Sequence, residues 1–361
     1  MTTTKRRWWG ESRRASIMLT SAMLVLGTAI SLPGAAAAAT VSPAVGKAPN
    51  VATHEQAVSV GERQAVLDYW TAERIAALNE PLSGNAPTSG PDGAPWTRSN
   101  ALAPTVGRLF FTNQGDDSSC TATVVGSANL STVVTAGHCV FSTDLLGEDG
   151  QWATNVMFVP GYTDGRAPYG KFVGRMGVAD STWLQNNAQD TKFDSYDQAF
   201  VVLNKNERGR TVQEVVGAAQ NVGFDLPGAQ LVFQFGYPRG SSDQARAGLP
   251  EYTGRQLAYC TGQAREARGS ADWPTPKGQW GAACVMGGGS SGGPRIAAFD
   301  PLSGLGTVVG VNTWAEYMDG VTRRVCEHDD ENCARHLVGP QFTSAITKPL
   351  YDRAQRARVG A

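Results

Sequence analysis

The run Gly287, Gly288, Gly289, Ser290, Ser291, Gly292, Gly293, Pro294 is the tightest chemical signal in the chain. Glycines on both sides of Ser291 can adopt backbone angles closed to other residues, so the hydroxyl projects while main-chain N–H groups converge on one small volume. Such a volume is an oxyanion hole, with the amides of Gly289 and Ser291 as its donors. Losing one such donor typically costs about 2.7–4 kcal/mol of barrier stabilisation. A flexible Gly/Ser linker has a similar composition, so the run needs chemical partners elsewhere in the sequence.

A serine hydroxyl is a poor nucleophile at neutral pH and needs a base within hydrogen-bond reach. The chain has four histidines, His54, His138, His328 and His336. His54 falls in an N-terminal stretch read below as a prosegment, and His328 and His336 lie around a small cysteine loop, which leaves His138. It closes the strand-like run 131–136, so its imidazole is held at a strand end. A carboxylate must then fix the imidazole tautomer and stabilise the imidazolium. Asp197 stands just before the apolar run 199–203 and would be desolvated at the start of that strand. Asp194 and Asp190 are its rivals, in a polar run that reads as a solvated loop.

Thr135, Ala136, Gly137, His138 and Cys139, then Asp197 to Phe200, then Gly289 to Pro294, resemble the histidine, aspartate and serine boxes of the chymotrypsin/trypsin-like serine peptidases. They come in that family's order, and secreted actinobacterial members are the most similar in kind. The resemblance spans residues 104–355. It implies two packed six-stranded antiparallel β-barrels, with His138 and Asp197 from the first, Ser291 from the second, and the triad in the cleft between them. It also implies a protein or peptide substrate, an acyl-enzyme intermediate, and no metal or organic cofactor. The run 309–315 resembles the substrate-lining strand, so Thr313 and Trp314 are expected to border the primary pocket. Two departures stand out. Ser290 occupies the position where animal digestive members carry an aspartate that pairs with a new N-terminal amine. Val285 occupies the position where trypsin-type members carry an acid.

The elements that must hold these residues read as all-β. Short strand-like runs at 108–112, 120–126, 131–136, 156–162, 199–204, 231–237 and 308–314 are separated by turn residues. With 42 Gly and 19 Pro the chain is turn-rich, and 41% apolar residues suffice for a sizeable core. Charged residues are only 17%, with 31 Lys+Arg against 32 Asp+Glu, so nucleic acid is not an expected partner. Only 349–359 reads as a helix at the end of the chain, with Pro349 suited to the first turn and Leu350, Ala354 and Ala357 on one face.

Upstream, Lys5, Arg6, Arg7, Arg13 and Arg14 precede an uncharged, mostly apolar stretch at 15–39 that ends in an alanine run. This reads as a cleaved signal peptide, and Ser12, Arg13 and Arg14 hint weakly at the twin-arginine route. A retained membrane anchor needs a longer apolar core, so no stable membrane association is expected after cleavage, and the protein is expected to be extracellular. Residues 40–103 read as a helical prosegment and linker, able to pack on the peptidase domain at 104–361. Within that segment Leu67, Trp70, Ile75 and Leu78 share one face of a helix that Pro81 must end, and 83–95 is linker-like.

Export favours disulfides for the six cysteines. Of fifteen possible pairings, sequence order suggests Cys120–Cys139, Cys260–Cys284 and Cys326–Cys333. Cys326, His328, Cys333 and His336 could instead ligate a metal, and Asp329, Asp330 and Glu331 a calcium ion. Extracellular thiols usually pair with each other, and an acidic loop is usually only solvated. Two other function classes fit parts of the pattern: a barrel-fold binding protein without turnover, and an esterase using the same triad. The esterase would more typically show an α/β pattern, which is missing here.

Overall fold

Thr132–Thr135, Thr-Val-Val-Thr, is a run of β-branched residues, stiff at χ1 and suited to a pleated strand, and all four are buried. It sits between Asp116–Val124 and Ala199–Leu203 in a sheet that continues through Val106–Asn113 and Thr154–Pro160 on one side and Phe172–Asp180 on the other. Phe172–Asp180 also pairs with Thr154–Pro160, which closes these six strands into an antiparallel barrel. The strands lack polar alternation because both of their faces are covered. Ala199, Val201 and Leu203 enter one apolar cluster with Leu109, Val133 and Phe158, while Phe200 and Val202 enter another with Phe110, Val134 and Phe235. The second cluster runs on through Ile296, Val308 and Phe342, so both halves of the fold share a core.

The second half contains a six-stranded sheet, ordered Asn221–Val222, Leu305–Val311, Pro294–Asp300, Leu231–Gly236, Ala258–Gln263 and Asp92–Pro95. Its companion is a four-stranded sheet, ordered Arg265–Glu266, Gln279–Ala283, Cys333–Pro340 and Trp314–Asp319. All pairings are antiparallel except that of Asn221–Val222 with Leu305–Val311. Arg295 ties the two sheets together. Its fully buried guanidinium donates to the carbonyls of Trp280, Gly339 at 3.1 Å and Pro340 at 3.1 Å, and to Gln341 Oε1 at 2.9 Å. With no acid among these acceptors, burial pushes its pKa down to about 9. The architecture is the all-β, chymotrypsin-like double barrel.

This computed structural model describes residues 50–82, 92–142, 150–186, 191–269, 275–322, 324–326, 330 and 332–360. All belong to one compact unit, Asn50–Ala361. The expected signal peptide, most of the expected linker, Asp190, His328, Asp329 and Glu331 lie outside the described residues. Residues 50–82 and 92–103, expected as prosegment and linker, pack within the same unit as the rest. Val51–Glu55 pairs with Phe172–Asp180, and Asp92–Pro95, expected as linker, pairs with Ala258–Gln263.

The single helix expected across Leu67 to Leu78 is two helices, Val60–Tyr69 and Ala72–Ala77. Thr71 causes the break, because its side chain accepts the Arg74 amide and starts a new helix there. Trp70 lies at that corner, fully buried, with its indole donating to the Asn155 carbonyl at 2.5 Å. Arg108 fastens the end of the segment: its buried guanidinium donates to Leu78 O, Asn79 Oδ1 and Gly254 O. The C-terminal helix is Thr347–Gln355, two residues earlier than its expected start, and buries Leu350 and Ala354. None of the described helices is long and apolar enough to cross a membrane.

If the 50–82 segment is part of the folded unit, Trp70→Ala lowers the unfolding free energy by about 3–5 kcal/mol, as for other core aromatic truncations. Chemical denaturation measures it. A loss under about 1 kcal/mol would mean that the segment contributes no core.

Candidate active site

His138 follows the strand Thr132–Thr135 in a single 3-10 turn, Gly137–Cys139. Cys139 is bonded to Cys120 in the neighbouring strand, which pins the turn from its far side. Asp197 follows another 3-10 turn, Thr191–Tyr196, and precedes the strand Ala199–Leu203. Since Ala199 pairs directly with Thr135, the strand register itself sets the start of one strand beside the end of the other.

The carboxylate takes two hydrogen bonds from the histidine, one from its backbone amide to Oδ1 at 2.8 Å and one from ring Nδ1 to Oδ2 at 2.8 Å. The ring's orientation is thereby fixed, and in the neutral ring the proton belongs on Nδ1, which leaves Nε2 as the basic nitrogen. Burial alone would lower the imidazole's pKa. The charge of Asp197 and its hydrogen bond outweigh that, Asp194 adds to them, and the net shift is upward from 6.5. Of the rival carboxylates, Asp194 acts on His138 only through its charge in this balance, and Asp197 makes the contacts.

Ser291 lies in the loop between Gln279–Ala283 and Pro294–Asp300, half-buried. Hydrogen bonds fix nearly every peptide of that loop. Ser290 Oγ donates to Gly287 O at 2.5 Å, the Gly293 amide to Ser290 O at 3.0 Å, and the Arg239 amide to Gly288 O at 2.6 Å. Thr121, from the first barrel, donates its amide to Ser291 O at 2.8 Å and its hydroxyl to Gly289 O at 2.9 Å. The amides of Gly289 and Ser291 are paired with no acceptor among the described residues. Gly289 and Gly292 have φ of 94° and 76°, which other residues rarely adopt. At Gly292 a Cβ would also collide with Thr135 Oγ1, Thr121 O and the Ala136 amide. The serine loop thus abuts the chain two residues before His138, and the structure brings His138, Asp197 and the Ser291 loop together across the two barrels.

Asn312 buttresses the same loop. Its main chain exchanges hydrogen bonds with Gly292 and Gly293, and its amide side chain donates to Phe235 O at 3.0 Å. Thr313 and Trp314 follow directly. The Trp314 indole donates to Gln279 Oε1 at 3.3 Å, and Gln279 in turn to Ser195 Oγ at 3.5 Å, linking this strand to the turn that leads into Asp197.

On the outer edge of Trp314–Asp319, Tyr317 O accepts the Cys326 amide and the Asp319 amide donates to Arg324 O. By strand alternation Ala315 faces the same way, and no strand covers it among the described residues. Val285 donates its amide to Asp92 Oδ1 at 3.1 Å, while Arg335 donates to the carbonyls of Cys284 and Met286 at 2.8 and 2.6 Å. Thr121, Asn312, Ala315 and Asp92 escape sequence reasoning. Of these only Asn312 and Ala315 lie in a recognisable motif, the run 309–315, where neither is singled out.

The other expected groups are dispersed. The disulfides are Cys120–Cys139, Cys260–Cys284 and Cys326–Cys333, the pairs that sequence order suggests. Cys326 and Cys333 therefore hold no thiolate for a metal, and His336 lies buried in a strand, its Nδ1 2.9 Å from Ala334 O. His54 stacks on Trp152.

No protein-family model matches the chain. Over 86 residues it is 34% identical to an extracellular metalloprotease of Bacillus subtilis (strain 168), a match that covers 24% of each protein. The chain thus spans about a quarter of that relative's length. The crystal structure of a thermostable serine protease, AL20, from an extremophilic microorganism superposes with a TM-score of 0.54 at 28% identity, covering 71% of this chain and all of the other. That of the protease Anisep from Arthrobacter nicotinovorans gives 0.54 at 29%, covering 71% of this chain and 98% of the other. By its fold and by these neighbours, the chain is similar to serine proteases over 71% of its length.

Asp197→Asn removes the charge that raises the His138 pKa and leaves burial, which lowers it. NMR titration of the ring should place its midpoint above 6.5 in the parent and clearly lower in the variant. An unchanged midpoint would show that Asp197 does not govern the ring.

Proposed function

We propose that the protein is a secreted serine endopeptidase that works through Ser291, His138 and Asp197. The observation that carries this reading is the doubly hydrogen-bonded His138–Asp197 pair, set beside a serine loop whose Gly289 and Ser291 amides have no acceptor among the described residues.

In this mechanism His138 Nε2 takes the proton from Ser291 Oγ as the oxygen attacks a peptide carbonyl. The carbonyl oxygen becomes an oxyanion, held by the Gly289 and Ser291 amides. As the C–N bond breaks, the imidazolium returns the proton to the leaving amine, and an acyl-enzyme remains. Water, deprotonated by the same imidazole, releases it. Asp197 holds the Nδ1 proton throughout and stabilises the imidazolium. The substrate lies extended along Thr313 to Ala315 and bonds to the open main chain of Ala315, a strand addition that fixes the scissile bond without demanding particular side chains.

Residues 1–39 serve as the export signal in this reading, and the three disulfides fit an oxidising destination. Residues 40–103 serve as prosegment and linker. Their strand pairing and the acceptors they give Arg108 support a role as a folding aid.

A fluorophosphonate should label secreted protein at Ser291, located by mass spectrometry. Casein hydrolysis should fall by about 10^4–10^6-fold in Ser291→Ala and in His138→Ala, as when a triad member is removed elsewhere. An adduct on another residue, or casein hydrolysis that survives Ser291→Ala, would overturn the reading. Hydrolysis of small acyl esters with none of peptides would make the protein an esterase instead.

A further inference from the structure

Trp314–Asp319 is the edge strand of its sheet, paired on its inner side with Cys333–Pro340. Directly paired residues of an antiparallel ladder share a face. Trp314, Glu316 and Met318 therefore lie on one face with Val338, His336 and Ala334, and Ala315 with Leu337 lies on the other. Met318 is fully buried at one end of that row and Trp314 half-buried at the other.

Between them stands Glu316, only 7% exposed. Neither of its carboxylate oxygens is hydrogen-bonded among the described residues, and Oε2 is sealed from solvent. Burial pushes its pKa up to about 7. The residue directly opposite it, His336, brings no compensating charge among the described residues: burial pushes its pKa down, which disfavours the imidazolium. A buried carboxyl without donors weakens a fold, and an aliphatic side chain would fill a similar space without that penalty. Its position suits a function in binding. Glu316 is one strand step past Ala315, whose outer main-chain groups are open, and two past Trp314.

A peptide added to that edge alternates its side chains between the two faces, so the residues flanking the one opposite Ala315 project over Trp314 and Glu316. We propose that Glu316 is a specificity-determining residue, which receives the ammonium or guanidinium of a substrate lysine or arginine on the acyl side of the scissile bond. Such a cation supplies the donors the carboxylate lacks, and the low local dielectric strengthens the pair. The inference rests on the peptidase reading above, because that reading places the substrate on this edge.

The test uses internally quenched peptides with lysine or its apolar isostere norleucine, and arginine or neutral citrulline, at each of the second to fifth positions before the cleaved bond. At one of these the parent should prefer the cation by about 10- to 100-fold in kcat/KM, the range for hydrogen bonds to a charged group. Glu316→Gln and Glu316→Leu should bring the ratio close to one, with melting temperatures equal to or above the parent's. No cation preference at any of these positions, measured on the parent alone, overturns the proposal. So does a preference that both variants keep. A parent that cleaves no peptide defeats the peptidase reading. In that event the uncut lysine and norleucine peptides are titrated against Ser291→Ala with and without Glu316→Gln, and equal affinities defeat the inference on its own.

Discussion

The geometry of the site depends on the hydrogen bonds of one buried residue, Thr121. Its amide donates to Ser291 O, its hydroxyl donates to Gly289 O, and the same hydroxyl accepts the Tyr237 amide. Those three bonds join a strand of the first barrel to the serine loop and to the strand end behind it. Apolar contacts between the two halves resist separation but tolerate sliding, because hydrophobic attraction has no direction. A nucleophile on one barrel and its base on the other need a fixed distance, and directional bonds supply it. The carbonyl oxygens of Gly289 and Ser291 are thereby occupied, while the amides of the same residues have no partner among the described residues.

Two unpaired arginines play a comparable part on a larger scale. Arg295 holds the sheets of the second half and Arg108 the junction of the N-terminal segment with both halves, and each donates only to neutral oxygens. A buried cation without a counterion is costly to desolvate, and several carbonyl dipoles aimed at one guanidinium offset that cost only if all of them are in place. The arrangement therefore makes distant segments mutually conditional: a strand that drifts withdraws a carbonyl and leaves charge uncompensated. Arg108 also lies over the rings of Phe110 and Tyr162, which adds a fixed electrostatic contact on its open faces.

How much of this could be read from the residues depends on whether the information is local. The strands around His138 and Asp197 were legible because Thr132–Thr135 and Ala199–Leu203 are continuous β-branched or apolar runs, and a histidine and an aspartate at the ends of such runs are conspicuous. Phe172–Asp180 was not, since Gly174, Arg175 and Gly177 interrupt it. The structure shows why glycine is there: a Cβ on Gly177 would press into the Trp152 ring, a residue twenty-five positions away in sequence. Gln279–Ala283 and Cys333–Pro340 were missed because their polar residues, buried Gln279 and His336 and half-buried Arg335, are satisfied by main-chain oxygens or side chains that no local pattern announces. Asp92–Pro95 reads as linker because Pro and Gly dominate it, and only an edge position on Ala258–Gln263 makes such a strand admissible.

Ser290 shows how a departure from a familiar pattern can be resolved physically. An aspartate there would need a cation from elsewhere in the chain to be buried, and an α-amine partner loses its proton above about pH 8, so the loop's shape would titrate. The Ser290 hydroxyl needs nothing from outside: it donates to Gly287 O within its own turn, and the turn is closed again by the Ser290 amide to the same carbonyl. The loop is then built from neutral groups, with Thr121, Arg239 and Asn312 holding it through main-chain amides, a hydroxyl and a carboxamide. No ionisation within it changes those bonds, so its donors keep their direction wherever the barrels themselves survive. The charge change that matters on the acidic side is left to the imidazole of His138, where Asp197 has moved it upward.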